Sequence, residues 1–118
     1  MPAVRFEDVE NWKKAHAFVL ETYEFTAQFP SHELYGLTSQ LRRAAVSITA
    51  NFADGFGKST RPDKLRFYGI AVGSLEEYRY YLILAADLGY GDTRSPRAGL
   101  DEVGRMLGDY IKKIKGDD

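Results

Sequence analysis

Cysteine is absent from the 118 residues, and that one absence removes disulfides, thiolate metal sites, thiol nucleophiles and iron–sulfur ligation. Redox chemistry by the protein's own groups goes with them. Long apolar runs are missing as well: none approaches the roughly 20 residues needed to span a bilayer. The opening Met-Pro-Ala-Val-Arg-Phe-Glu-Asp lacks a basic region followed by an apolar one. A cytoplasmic protein with no membrane partner is therefore expected. Histidine is limited to His16 and His32, and no Glu-x-x-His pair occurs, so the di-iron site that helical bundles build from such pairs is not expected. A nucleophilic triad would need one of those histidines aligned with an orienting carboxylate, and their spacing gives no sign of it. The expectation is a protein that is not an enzyme, with no catalytic residue, metal or cofactor.

Net charge is also nearly absent, at -1, but its distribution is uneven. Residues 1–33 hold three basic and six acidic side chains, and residues 71–118 hold seven and nine. Between them, residues 34–70 carry Arg42, Arg43, Lys58, Arg61, Lys64 and Arg66 against Asp54 and Asp63, a balance of +4. That middle third is the candidate basic surface, with Arg42, Lys58, Arg61, Lys64 and Arg66 as candidate contacts to RNA or a nucleoprotein. A solvated charged face explains the same residues.

What the chain does have is period-3.6 patterning from end to end. Four amphipathic stretches, at about 8–29, 37–54, 61–88 and 96–114, are separated by short Gly, Pro and Ser clusters, and no strand pattern or internal repeat competes. In the first, Asp8 is the expected N-cap and Pro30 the stop, with Val9, Trp12, His16, Val19, Tyr23 and Thr26 as one stripe and Phe18, Phe25 and Phe29 as a second. The next buries Leu37, Leu41, Ala44, Ala45, Ile48 and Phe52, and Gly55-Phe-Gly57 reads as a left-handed C-cap. A third begins at the hydroxyl and proline of Ser59-Thr-Arg-Pro62 and stops at Gly89-Tyr-Gly91. Ser95-Pro96 opens the last, whose stripe is Leu100, Val103, Leu107, Ile111 and Ile114. Short connections between long helices favour antiparallel neighbours, so the expectation is an all-α, up-and-down antiparallel four-helix bundle forming a single domain over 1–118, with its first few residues and the tail from Lys115 poorly ordered.

Two features go beyond that scaffold. The third stretch carries one seam of Phe67, Ile70, Ser74, Tyr78, Tyr81, Ala85 and Leu88 and another of Leu65, Tyr68, Val72, Leu75, Leu82 and Ala86. One seam can face the core, and an uncovered second one marks an association site, so a homo-oligomer is expected. A central helix touching both neighbours broadly is the alternative. The second feature is a polar ladder, Gln40, Arg43, Ser47, Asn51 and Asp54, with Ser74 and Glu77 near the border of the opposing helix. It reads as a buried network fixing register or a subunit contact, or as the lining of a small-molecule or catalytic cleft. Gly55-Phe-Gly57-Lys58-Ser59-Thr60 is not a phosphate loop: the required earlier glycine is Phe52, and a helix precedes it where a strand is needed.

The segment Phe29-Pro30 with Glu33, followed by Gly36-Leu37-Thr-Ser-Gln40-Leu-Arg-Arg43-Ala-Ala-Val-Ser47-Ile-Thr-Ala-Asn51-Phe-Ala-Asp54-Gly55, resembles the signature of the four-helix-bundle family named for 23S rRNA intervening sequences. Ile70-Ala-Val-Gly73-Ser74-Leu75-Glu-Glu77 is similar to its second part, and Trp12 and Ala15 fit its first helix. The resemblance spans about residues 6–90, with Asp54 standing where the family more often has Glu. It implies a homo-oligomer, typically a pentameric ring, without established enzyme activity. It also implies, from a related group that assists the reverse transcriptase of diversity-generating retroelements, partners met through a basic surface.

Overall fold

The computed structural model describes residues 9–116. Four helices, α1 (Glu10–Thr26), α2 (Leu37–Gly57), α3 (Arg61–Asp87) and α4 (Arg94–Lys115), follow one another, with a single 3₁₀ turn at Ser31–Glu33 between the first two. No strand occurs among the described residues. Each helix packs on its neighbours in the order α1–α2–α3–α4 and back to α1, which is the antiparallel up-and-down bundle that the short connections dictate. It is 44 Å long and 23 Å across.

Local chemistry sets the ends, and several differ from the sequence expectation. The proposed cap Asp8 lies outside the described residues, as do the first few residues and the end of the tail; α1 starts at Glu10 with Val9 at the N-cap. It also ends three residues early, at Thr26, because Phe29 turns back to pack edge-on against Phe25 with ring centroids 5.1 Å apart. Thr60 caps α3 by accepting the Asp63 amide at 3.3 Å, as expected. Gly89 takes φ +74° just beyond α3, the left-handed stop that glycine allows. Ser95 is not the cap of α4: the helix begins two residues earlier, with Thr93 at the N-cap, and the Ser95 hydroxyl donates to Glu21 across to α1.

The Gly55–Gly57 terminus also departs from expectation. Helix α2 runs through both glycines, and neither has positive φ. Gly55 serves close approach instead: a Cβ there would lie 2.5 Å from Cε1 of Tyr68, a ring buried against Phe52 at 5.8 Å.

The core is built on Leu41, Ala45, Ile48 and Phe52 of α2 and on Leu100, Val103 and Leu107 of α4, in the stripes expected. Helix α1 buries the second of its expected stripes, Phe18 and Phe25 with Phe29 just beyond the helix, together with Val9 and Thr26 from the ends of the first. Ala15, Phe18, Thr22 and Phe25 point inward, whereas His16 and Tyr23 are exposed and Trp12 and Val19 half-buried. Helix α3 buries Tyr68, Ala71, Ser74, Leu75, Tyr78, Leu82 and Ala85, so its core face lies between the two seams and draws on both. Touching α2 on one side and α4 on the other, α3 buries a broad arc, and the apolar residue left outside is Ile70, Tyr80, Ile83 and Leu88. Buried polar atoms are paired: the Tyr78 hydroxyl and Thr22 Oγ1 are 2.7 Å apart, with Thr22 also donating to the Phe18 carbonyl. Burial pushes the Tyr78 phenol well above its ordinary range, and the Thr22 bond opposes that shift.

Candidate functional site

The polar ladder of α2 meets α3 at one point. Ser47 Oγ and Ser74 Oγ lie 2.7 Å apart, and the Asn51 amide donates to the Ser47 carbonyl at 2.9 Å and to its hydroxyl at 3.1 Å. Ser74 is buried and Ser47 and Asn51 are half-buried, so these three make a polar cross-link at the helix boundary. Gln40, Arg43 and Glu77 do not join it by hydrogen bonds; they are exposed and, with Ser47 and Ser74, line an open notch of about 210 Å³. Asp54 is exposed and stands outside the notch. Tyr81 donates a long bond to Glu77, at 3.4 Å. Among the described residues, no imidazole or carboxylate hydrogen-bonds the Ser47 hydroxyl, whose partners are Ser74 and Asn51.

The candidate cations separate into two places. Arg42 belongs to neither the α2–α3 turn nor its end of the bundle: its Nε donates to Thr26 Oγ1 at 2.8 Å, and its guanidinium lies 4.6 Å over the Tyr23 ring. It is a staple between α1 and α2, about 24 Å along α2 from Lys58 at 1.5 Å per residue. Lys64 is half-committed: its Nζ donates to the carbonyls of Gly55 and Phe56 at 3.2 and 2.8 Å, satisfying the end of α2. Lys58 and Arg66 both lie over the Phe67 ring, at 4.8 and 4.5 Å. Arg61 is exposed.

Sequence reasoning missed the partner of this cluster. Because α4 runs antiparallel to α3, its last turn arrives beside the start of α3, as Tyr110 shows by packing 5.1 Å from Phe52 and 6.2 Å from Tyr68. Lys112, Lys113 and Lys115 come with it, and Lys113 lies 5.9 Å over the Tyr110 ring. One pole of the bundle thus gathers Lys58, Arg61, Lys64, Arg66, Lys112, Lys113 and Lys115 from residues 54–66 and 109–115, against Asp54, Asp63 and Asp109, a balance of +4. The α4 lysines also complement the negative end of their helix dipole. The far pole has the opposite sign. Glu21, Glu24, Glu33, Asp87 and Asp92 there outnumber Arg42, Arg43, Arg94 and Arg97 by one. Glu33 ties that pole together, accepting from the Tyr90 hydroxyl at 2.7 Å and the Leu37 amide at 3.1 Å. Those two bonds hold its carboxyl below the ordinary range.

Chemically, the basic pole offers point charges interleaved with partly exposed rings, the combination that engages a phosphate backbone and stacks unpaired bases. Among the described residues, no group of three or more His, Asp or Glu is arranged to hold a metal ion, and no helix is long and apolar enough to cross a membrane. The family model of the 23S rRNA-intervening sequence protein matches residues 7–109. No curated protein matches the chain.

Proposed function

This chain belongs to the family of 23S rRNA-intervening sequence proteins, and from that premise we propose that it is a non-catalytic, self-associating cytoplasmic bundle that docks RNA on its basic pole. The observation that carries the reading is the convergence of seven cations from two distant chain segments on one end of the bundle, interleaved with Phe56, Phe67 and Tyr110. The overall charge of -1 is a sum over the whole chain: Glu21, Glu24, Glu33, Asp87 and Asp92 lie toward the other end of a bundle 44 Å long, several screening lengths of roughly 8 Å at physiological salt from the basic pole. Association multiplies the pole. Copies arranged side by side, five in the ring that the family resemblance implies, would present their cations on one rim.

Self-association rests on its own observation, the large apolar side chains left outside the core, from Leu20, Tyr23, Leu34 and Tyr35 to Ile70, Tyr80 and Ile83. The polar cross-link serves as a register device between α2 and α3, since Ser47 bonds Ser74 across the helices and Asn51 along its own.

The test is a titration of labelled single-stranded and structured RNA. Lys112→Gln, Lys113→Gln and Lys115→Gln together should weaken binding about as strongly as Lys58→Gln with Arg66→Gln, whereas Arg94→Gln with Arg97→Gln at the far pole should leave it unchanged. Equal losses from the two poles would mean that charge acts without a site.

A further inference from the structure

The outside of the bundle carries two apolar faces that differ in shape and in charge. One is a groove of about 580 Å³ between α1, the 3₁₀ turn and α2, lined chiefly by Tyr23, Leu34, Tyr35, Val46, Arg42 and Arg43. No carboxylate among the described residues lines it, and Tyr35 stands 93% exposed at its rim. The other is a ridge. Gly69, Gly73, Glu76, Tyr80 and Ile83 follow one another along α3 at steps of four, three, four and three, which places them on one outward line. Tyr80 is 59% exposed, and a Cβ built on Gly69 or Gly73 would meet nothing within 4 Å. Another backbone can therefore approach closely at that end of the ridge. Glu76 and Glu77 are exposed beside Tyr80.

We propose that the occupant of the groove is the α3 ridge of a second copy of this chain, so that copies join head to tail. The proposal rests on the self-association reading above and assigns its faces. Three considerations favour this pairing over a symmetric one. Groove against groove would set Arg42 and Arg43 of one copy toward the same guanidiniums of the other and leave the ridge bare. Ridge against ridge would oppose Glu77 with itself, Glu76 being already paired with Arg79 at 3.5 Å on its own helix. Groove against ridge pairs opposite signs and covers both apolar faces at once. Size permits it too: a long side of the bundle, 44 by 23 Å, offers about 1,000 Å² against the roughly 800 Å² per partner of a standard interface. Two different faces joined in this way give a closed ring when the rotation between copies closes and a filament when it does not.

Light scattering on size-fractionated protein tests the assignment with two variants, one lacking the groove (Leu34→Asp with Val46→Asp) and one lacking the ridge (Tyr80→Asp with Ile83→Asp). All four positions are exposed, and far-UV circular dichroism checks that helicity is kept. The wild type should run at several times 13.3 kDa and each variant alone as a monomer. Their equimolar mixture should give a 1:1 pair, because one retains a ridge and the other a groove. A mixture that stays monomeric, or a single variant that still assembles as the wild type does, overturns the pairing while leaving self-association standing. A monomeric wild type would remove self-association itself. Should an Asp pair reduce helicity, Val46→Ser and Tyr80→Ser carry the same comparison.

Discussion

Replacing Gly55 by Ala should destabilise the fold, although Ala is ordinarily the better helix former. Helix α2 passes through Gly55 with ordinary helical geometry, so the backbone does not require glycine there, and propensity alone would favour Ala by about 0.5–1 kcal/mol. Space decides otherwise. The added methyl would sit 2.5 and 2.7 Å from two carbons of the Tyr68 ring and 3.3 Å from the Lys64 carbonyl oxygen. Tyr68 has little room to yield: it is 1% exposed and held by Phe52 and Tyr110. Overpacking of this kind costs about 1–3 kcal/mol, which exceeds the propensity gain over most of that range, so a net loss of about 0.5–2 kcal/mol is expected. At Gly57, two residues on, a Cβ would meet nothing within 4 Å. Gly57→Ala should therefore be neutral or stabilise by up to about 0.8 kcal/mol. Urea unfolding of the three proteins side by side reads both signs. A Gly55→Ala variant as stable as wild type would show that the Tyr68 ring moves freely, and the argument for glycine at that position would fail.

Tyr78→Phe should cost about 0.5–1.5 kcal/mol, since Thr22 keeps its bond to the Phe18 carbonyl and loses only the phenol; an unchanged urea midpoint would show that the buried pair contributes nothing. Asn51→Leu should cost about 1 kcal/mol, at the low end for a polar truncation because half-buried Ser47 can turn to water; a wild-type midpoint would mean that the cross-link is idle. Acid unfolding should depend on Glu33, whose folded-state pKa lies below its ordinary 4.5 owing first to the Tyr90 hydroxyl and then to the Leu37 amide. A depressed carboxyl contributes stability above its unfolded pKa and loses it as pH falls through the folded one. Glu33→Gln should accordingly flatten the decline in stability below about pH 4.5, and superimposable acid limbs for the two proteins would contradict it.

The bundle was legible because α2 and α4 each carry a single apolar stripe with polar flanks, and such a stripe admits one orientation. Helix α1 was not, because it offers two stripes. The core takes the second, Phe18, Phe25 and Phe29, with Ala15 and Thr22, while the first is split: Val9 and Thr26 are buried, Trp12 and Val19 half-buried, and His16 and Tyr23 exposed. Thr22 gives no apolar signal, and only the facing Tyr78 explains its burial. Likewise for α3, sequence separates two seams but cannot tell that α2 and α4 together bury the arc between them. The basic pole was half legible. Lys58 to Arg66 stand out as a run, whereas Lys112, Lys113 and Lys115 look like an ordinary helix end until the antiparallel topology carries them alongside. Arg42 errs in the other direction, counted by sequence proximity and placed by the fold on a different side chain network.

The most direct measurement of the central claim is the salt dependence of RNA binding by the wild type and by the variant with all seven pole cations changed to Gln. Four phosphate contacts on a single strand give a slope of about -2.8 in log affinity against log salt, or roughly a 50-fold loss between 50 and 200 mM. A wild-type slope of that order is expected, with no measurable binding by the variant and with assembly mass and helicity unaltered, although melting should fall because Lys64 satisfies the Gly55 and Phe56 carbonyls. An absence of wild-type binding at low salt, or a slope that the seven substitutions leave unchanged, would contradict it.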